Sequence, residues 1–177
     1  MSIVKTQDIF GGKMMLFRKK TEGAEISMDY SLHNFTAEQW ALQNAGSTYS
    51  DLSQQELEVI KQAIAKFVKV PSYTVGDVAK LMTEYFDKEK ALNIAITEIT
   101  RAYAFAEQID GEELKKVYPD VRVIKTWFTN NDSYVCEICK SLDGKIVDID
   151  KPFSKGIFIP PAHEGCRCWI SSRTKII

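Results

Sequence analysis

The sequence has little that would direct the whole chain to a membrane or a polyanion. None of its apolar runs approaches the about 20 residues that a membrane-spanning helix needs, and its first ten residues lack the apolar core of a secretion signal. Lysine and arginine number 23 against 24 aspartate and glutamate, so no net field attracts the chain to nucleic acid. We expect a soluble, unsecreted protein with no membrane partner.

Motifs of common catalytic chemistry are also missing. The chain contains neither a G-x-x-x-x-G-K-S/T phosphate loop nor a G-x-G-x-x-G dinucleotide turn. A metal-dependent nuclease normally needs a further histidine near the scissile phosphate of its substrate. The two histidines of this chain, His33 and His163, are more than a hundred residues apart in the sequence. In zinc deaminases H-x-E precedes the C-x-x-C pair, whereas His163-Glu164 follows it here. We therefore expect no enzymatic activity and hold a nuclease or transferase-like domain as the less favoured alternative.

The middle of the chain has helical periodicity. Three pairs have capping-box spacing, in which two residues three apart close the first turn of a helix: Thr36 with Gln39, Ser53 with Glu56, and Thr74 with Asp77. Pro71 ends the second of these helices. The most regular helix is predicted from Lys88 to about Gln108. Its apolar stripe comprises Leu92, Ala95, Ile99, Ala102 and either Phe105 or Ala106.

After Tyr118 the pattern changes to short strands. Val121 to Phe128 is predicted to be a strand, Asp143-Gly144 a turn, Lys145 to Ile149 a returning strand, and Trp169-Ile170 the start of a last strand. Together with the helices this predicts an α+β fold. We divide the chain into an N-terminal arm or short strands (1–35, with strands at 14–17 and 26–30), a helical region (36–117) and a Cys-rich β module (118–177).

All four cysteines lie in that last module. Cys136 and Cys139 form a C-x-x-C pair, and Cys166 and Cys168 form a C-x-C pair preceded by His163. In an unsecreted chain such pairs bind zinc more often than they form disulfides. A metal staple also suits a module too small for a large apolar core. We predict one structural zinc ion, bound either by the four cysteines or by three of them with His163.

Two other readings of this cluster remain open. The cysteines can form a disulfide or remain unmetallated thiols. The module can also be a nucleic-acid-binding zinc module, because it is locally basic and carries aromatic rings that bases stack on. The basic residues are Lys125, Lys140, Lys145, Lys151, Lys155, Arg167, Arg173 and Lys175, and the aromatic ones are Trp127, Phe128 and Trp169.

One ion pair is expected on the long helix. Glu98 and Arg101 are three residues apart, close enough to pair on one helix face. Aromatic side chains follow at Tyr103 and Phe105. We interpret this pair as structural, because no second carboxylate has a catalytic spacing to Glu98.

The order of motifs resembles a known family. Residues 123–127 (V-I-K-T-W) and Asp132 precede Cys136-Glu137-Ile138-Cys139, then Leu142-Asp143-Gly144-Lys145, Phe153, and the run 160–168 (P-P-A-H-E-G-C-R-C). Upstream, Ala91, Ile94, Ala95, Thr97 and Glu98 match a helix pattern A-x-x-I-A-x-T-E. In these features, over about residues 60–172, the chain is similar to the phage Mu F-like head-morphogenesis proteins, also called minor head or minor capsid proteins.

The resemblance implies a role in building the phage head. Such proteins are few-copy virion components inside the capsid, made in the host cytoplasm and associated with the portal protein and other capsid components. They are linked to assembly or to DNA delivery, so DNA is a further candidate partner. The resemblance does not imply a catalytic role.

Overall fold

The computed structural model describes the backbone of residues 3–6, 15–18 and 30–175 and the side chains of residues 34–174. The fold is α+β, with helices followed by a small antiparallel sheet. In chain order the elements are β1 (Ile3–Thr6), β2 (Met15–Arg18), α1 (Tyr30–Asn44), α2 (Gln54–Lys69), α3 (Val75–Met82), α4 (Lys88–Val117), β3 (Arg122–Phe128), α5 (Glu137–Leu142), β4 (Ile146–Asp148) and β5 (Trp169–Lys175).

The N-terminal predictions were only partly correct. β2 covers most of the strand predicted at 14–17 and pairs antiparallel with β1. Of the second predicted strand, residues 26–29 lie outside the described part, and Tyr30 begins a helix instead. Thr36 is inside α1, so the capping box predicted with Gln39 is wrong. The same three-residue spacing occurs within helices, where such side chains are neighbours.

The other two capping boxes are confirmed. The Ser53 backbone N–H donates to Glu56 Oε2 at 2.7 Å, and the Glu56 N–H donates back to Ser53 Oγ. Thr74 and Asp77 make the equivalent pair at the start of α3. Each box satisfies backbone donors that the first turn leaves unpaired. These local signals fix where α2 and α3 begin.

Helix α4 is the central element and is longer than predicted. It extends beyond Gln108 to Val117 through polar residues that are buried, among them Asp110 and Glu113. This stretch has no helical repeat of apolar residues, and its Gly111 suggests a break in the helix. The predicted helix therefore ended too early. Leu92, placed on the apolar stripe, is 42% exposed. The buried face of the first turns uses Ala91, Ile94, Ala95, Thr97 and Glu98.

The sheet has the order β4-β3-β5 with both pairs antiparallel. In the central strand β3, Val123, Lys125 and Trp127 alternate with the residues of the opposite face. The turn at Gly144 is confirmed by its φ of +71°, but it does not join β3 directly to β4. The connection from Phe128 to Ile146 contains α5, which the sequence pattern did not predict.

Within the described residues, the apolar side chains form one core among α1 to α4, a second between α4 and the sheet, and a small third cluster of Leu114, Val123 and Ile149. The second core contains Cys139, Cys166 and Cys168 beside Trp127 and Phe153. Packing against apolar residues holds the sulfur atoms in place. Within the described residues, no helix is long and apolar enough to cross a membrane.

Candidate metal centre

The first ligand pair is built by the short helix α5. Cys136 is its N-cap residue, and the Cys136 sulfur accepts a hydrogen bond from the backbone N–H of Cys139 at 3.5 Å. A residue that caps a helix turns its side chain back over the first turn. The C-x-x-C spacing therefore aims both sulfurs at one point.

The second group of donors lies on the loop before β5. His163 Nδ1 lies 2.8 Å from the carbonyl oxygen of Glu164, which favours a proton on Nδ1 and leaves the Nε2 lone pair free for a metal. Burial alone would lower the pKa of His163, but this carbonyl and the nearby Cys166 and Cys136 sulfurs together raise it. Cys166 and Cys168 follow with buried side chains.

The five predicted donors form a cluster at metal-ligand distances. His163 Nε2 lies 3.2 Å from both the Cys136 and the Cys139 sulfur, and the Cys139 and Cys166 sulfurs are 3.7 Å apart. The donors fall into two groups of three, each with its atoms within 4.8 Å of one another. One comprises Cys136, Cys139 and His163, the other Cys139, Cys166 and Cys168, so Cys139 is common to both.

These distances fit a tetrahedral zinc site. With Zn–S bonds of about 2.3 Å, two sulfurs of a tetrahedron lie about 3.8 Å apart. The Cys139–Cys166 separation of 3.7 Å has this length. None of the four cysteines is in a disulfide bond. Five donors are available for the four coordination positions of a zinc ion. Cys139 is the strongest candidate ligand, because it belongs to both groups of donors.

The protonation equilibria of the thiols also suit a cation. Burial raises the pKa of the Cys139 thiol to about 12, whereas a hydrogen bond from Cys168 lowers that of Cys166 to about 5. The same contact with Cys166 raises the pKa of Cys168. One thiolate is therefore stabilised while a second negative charge in the same apolar pocket is opposed. A bound cation would remove that opposition and release protons.

The donors enclose very little space. With Tyr134, Arg167 and neighbouring residues they line a cavity of about 20 Å³. This volume is close to that of a single water or ion.

An ion pair closes the side of the cluster. Both terminal nitrogens of Arg167 donate to the carboxylate of Asp132 at 2.8 Å, and the guanidinium lies over the Tyr134 ring. These hydrogen bonds hold the pKa of Asp132 below its usual range. The sequence placed Arg167 near the cluster, but its partner lies 35 positions away, beyond the reach of a spacing argument.

Helix α4 holds the ligand loop, which the sequence pattern missed. Thr97 Oγ1 accepts from the Gly165 N–H at 2.8 Å, and Thr100 Oγ1 donates to the Cys166 carbonyl at 2.9 Å. Neither contact is visible in the sequence, because residues of α4 and of this loop are more than 60 positions apart. The predicted ion pair of Glu98 and Arg101 is confirmed at 2.7 Å, with the Glu98 side chain fully buried.

Two residues proposed for nucleic-acid contact are in the interior. Lys125 and Trp127 are both 0% exposed and face α4 from the central strand. Their contribution to a nucleic-acid surface is therefore wrong. Phe128 and Trp169 stack on each other with their ring centroids 5.6 Å apart, and Trp169 remains 46% exposed. Of the predicted aromatic set, these two stay on the outer side of the sheet.

The comparisons with known proteins yield a family match. No curated protein sequence and no solved structure matches the chain. The family of phage Mu protein F like proteins matches residues 40–171, a span that includes α4, β3, β4, the first residues of β5 and all five donors. Because this span is well over half of the 177 residues, the chain belongs to the phage Mu protein F like family.

Proposed function

We propose that this protein is a minor head protein that acts in phage head morphogenesis, associates with the portal inside the capsid, and has no enzymatic activity. Membership in the phage Mu protein F like family supports the role in the head and hence a place in the virion. In this proposal the helical region contacts capsid components, and a metal stabilises the small β module.

The metal is a structural Zn²⁺ ion. The observation that carries this proposal is the convergence of four sulfurs and one imidazole on a cavity of about 20 Å³. Zinc bound by these side chains supplies cross-links between α5 and the loop before β5, in a module with a small apolar core. Its ligands are Cys139 and three of Cys136, His163, Cys166 and Cys168.

The test of the zinc site is the metal content of the full chain, purified without a metal-affinity tag, together with a count of reactive thiols. We expect about one zinc per chain, with the thiols that bind it reactive only after chelation. No metal, together with freely reactive or oxidised thiols, would reject the structural zinc and leave the family assignment in place.

The portal association is tested in assembled heads. Heads made with and without portal protein are purified, and this protein is quantified in each by mass spectrometry. We expect a few copies per head in the first preparation and none in the second. Equal amounts in both would show that another capsid component recruits it. If phage that lack this protein lose infectivity but still assemble heads, the protein has a role in DNA delivery.

A second candidate function is DNA contact by the outer face of the sheet. In the observed register Phe128 lies opposite Trp169, and Ile124 lies opposite Arg173. Because alternate residues share a face, this places the exposed Trp169, stacked on the half-buried Phe128, on one side with two cations. The cations are Arg173 and Arg122, and Arg122 is paired with Asp148. A single strand can stack on the rings while its phosphates contact the cations.

This candidate predicts binding of single-stranded DNA that weakens steeply with salt. Trp169→Ala should lower the affinity at every salt concentration, since stacking on an aromatic ring contributes about 1–3 kcal/mol per base. Arg173→Gln should reduce the salt dependence, whereas Lys80→Gln, on α3, serves as the control. Absence of binding at low salt would remove this function.

A further inference from the structure

One turn of α4 contacts the metal-ligand loop on one side and the connection between α1 and α2 on the other. Thr97 and Thr100 face the ligand loop, whereas Glu98 and Arg101 face the connection. Residues three apart share a helix face. Thr97 therefore lies beside Thr100 on one face of α4, and Glu98 lies beside Arg101 on the neighbouring face. Thr97 and Glu98 form the T-E pair of the helix pattern A-x-x-I-A-x-T-E, and neither is a ligand of the proposed zinc ion.

The first pair fixes the backbone on both sides of Cys166. Thr97 Oγ1 donates to the Asn93 carbonyl at 2.7 Å, so its lone pairs face outward and accept the Gly165 N–H. The Thr100 hydroxyl donates to the Cys166 carbonyl. The loop backbone is thereby held at the residue before the ligand and at the ligand itself.

Gly165 explains why the loop can approach the helix at this point. Its φ is +72°, a backbone conformation that L side chains rarely adopt. A Cβ on Gly165 would lie 3.5 Å from Asn93 Oδ1, an ordinary contact, so its backbone conformation rather than space requires glycine. This conformation turns the Gly165 N–H toward Thr97 and directs the following Cys166 sulfur into the donor cluster.

The second pair fixes the connection between α1 and α2. Glu98 is 0% exposed and accepts hydrogen bonds from the Gly46 N–H at 3.1 Å and from Arg101 at 2.7 Å. Arg101 also donates to Thr48 Oγ1 at 2.9 Å. Loss of one hydrogen-bond donor from a buried carboxylate costs free energy. The hydrogen bonds of Glu98 to Gly46 and to Arg101 therefore tend to form or break together.

We propose that Thr97 and Thr100 are positioning residues of the metal centre, and that the turn 97–101 couples the metal-ligand loop to residues 46–48 through Glu98. The inference rests on the proposed zinc site. Metal binding orders the ligand loop, the loop holds the two hydroxyls, and the same helical turn keeps Glu98 in place beneath Gly46. The metal thus orders the connection between α1 and α2 at residues 46–48 in addition to stabilising the β module.

The test measures zinc affinity by competition with a chromogenic chelator, using the full chain and Zn²⁺ alone. Thr97→Val and Thr100→Val keep the side-chain shape but remove the hydroxyl, and each should weaken zinc binding about 10- to 100-fold, as loss of groups that orient metal ligands does. Thr97→Ser restores the hydroxyl and should bind as the wild type does. Thr83→Val is the matched control, since Thr83 bonds only within its own turn.

Two further readouts separate positioning from general instability. The absorption spectrum of the Co²⁺-loaded protein should change in Thr97→Val, because the ligand geometry changes, and should be normal in Thr97→Ser. Hydrogen exchange of the amides at 46–48 should slow on zinc addition in the wild type and much less in Glu98→Gln.

The outcomes distinguish this inference from the zinc proposal. A wild-type protein that binds no zinc would overturn both. A wild-type protein that binds zinc, with unchanged affinity and Co²⁺ spectrum in Thr97→Val and Thr100→Val, would overturn the positioning role alone. If zinc does not change the hydrogen-exchange rates of the amides at 46–48 in the wild type, the coupling to the helical region is overturned.

Discussion

The ammonium group of Lys125 is enclosed by the protein interior. Lys125 Nζ donates to Gln108 Oε1 at 2.8 Å and to the Phe158 carbonyl at 2.9 Å, and it lies over the Phe153 ring. Burial lowers the pKa of Lys125 to about 8, because the neutral amine loses less hydration than the ammonium ion. The lysine links the central strand to α4 and to the loop that leads to the ligands.

The lowered pKa predicts a pH-dependent stability. Between pH 8 and the ordinary lysine pKa of about 10.4, the unfolded chain binds more protons than the folded one, so the free energy of unfolding rises with pH. We expect wild type to gain about 2 to 3 kcal/mol relative to Lys125→Met across this window. Urea unfolding of both proteins from pH 7 to 10.5 measures the difference between their free energies of unfolding. The cysteines titrate in both proteins, so their contribution cancels in this difference. A flat difference would contradict the prediction.

At the scale of elements, α4 lies unusually close to the sheet at Gly111. A Cβ built on Gly111 would lie 2.6 Å from Ile149 Cδ1 and 3.3 Å from the Ser172 Cβ. The glycine therefore sets the distance between helix and sheet. It weakens the helix by about 1 kcal/mol relative to alanine, and close packing offsets this cost.

Gly111→Ala should destabilise the protein. Overpacking costs about 1 to 3 kcal/mol and exceeds the gain in helix propensity. Gly76→Ala, in α3, is the matched substitution, because its added Cβ meets only Thr74 Oγ1 at 3.6 Å. That variant should be more stable by about 0.5 to 1 kcal/mol. Thermal unfolding of both variants tests the pair, and equal effects of the same sign would refute the role of Gly111 as a spacer.

At the scale of the whole molecule, the helical core and the sheet core differ in what stabilises them. The first is built from apolar side chains of α1 to α4. The second is smaller and includes three of the four cysteines among its buried residues. Removing a metal should therefore affect the two unequally.

Cys139→Ser should unfold the β module and leave helices α1 to α4 largely formed, since Cys139 belongs to both donor groups. The three tryptophan indole N–H signals in NMR report this by residue. The Trp40 signal, in the helical core, should persist, while those of Trp127 and Trp169 should lose their dispersion. Chelation of the wild type should have the same effect. A folded Cys139→Ser protein with three native signals would count against a structural zinc.

The coarse plan of the fold follows from local patterns. The capping boxes at Ser53 and Thr74, the strand ending at Phe128 and the positive-φ glycine at 144 each depend on residues a few positions apart. Local hydrogen bonds and period-two alternation decide such features, so one sequence suffices to predict them. The end of α4 was mispredicted, because burial against other elements extends this helix beyond its apolar pattern. The start of α1 was mispredicted at Thr36, because a three-residue spacing of polar side chains also occurs inside a helix.

The sequence by itself determined the residue types of the site. Closely spaced cysteines and a histidine specify soft metal donors, and their order, with Thr97-Glu98 upstream, specifies the family, which the match to residues 40–171 confirms. Only the tertiary structure decided which surroundings these residues have. It buried Lys125 and Trp127, paired Arg167 with Asp132, and placed Thr97 on the Gly165 backbone. Such contacts join residues tens of positions apart, and packing of α4 against the sheet and the ligand loop, rather than any local spacing, brings them together.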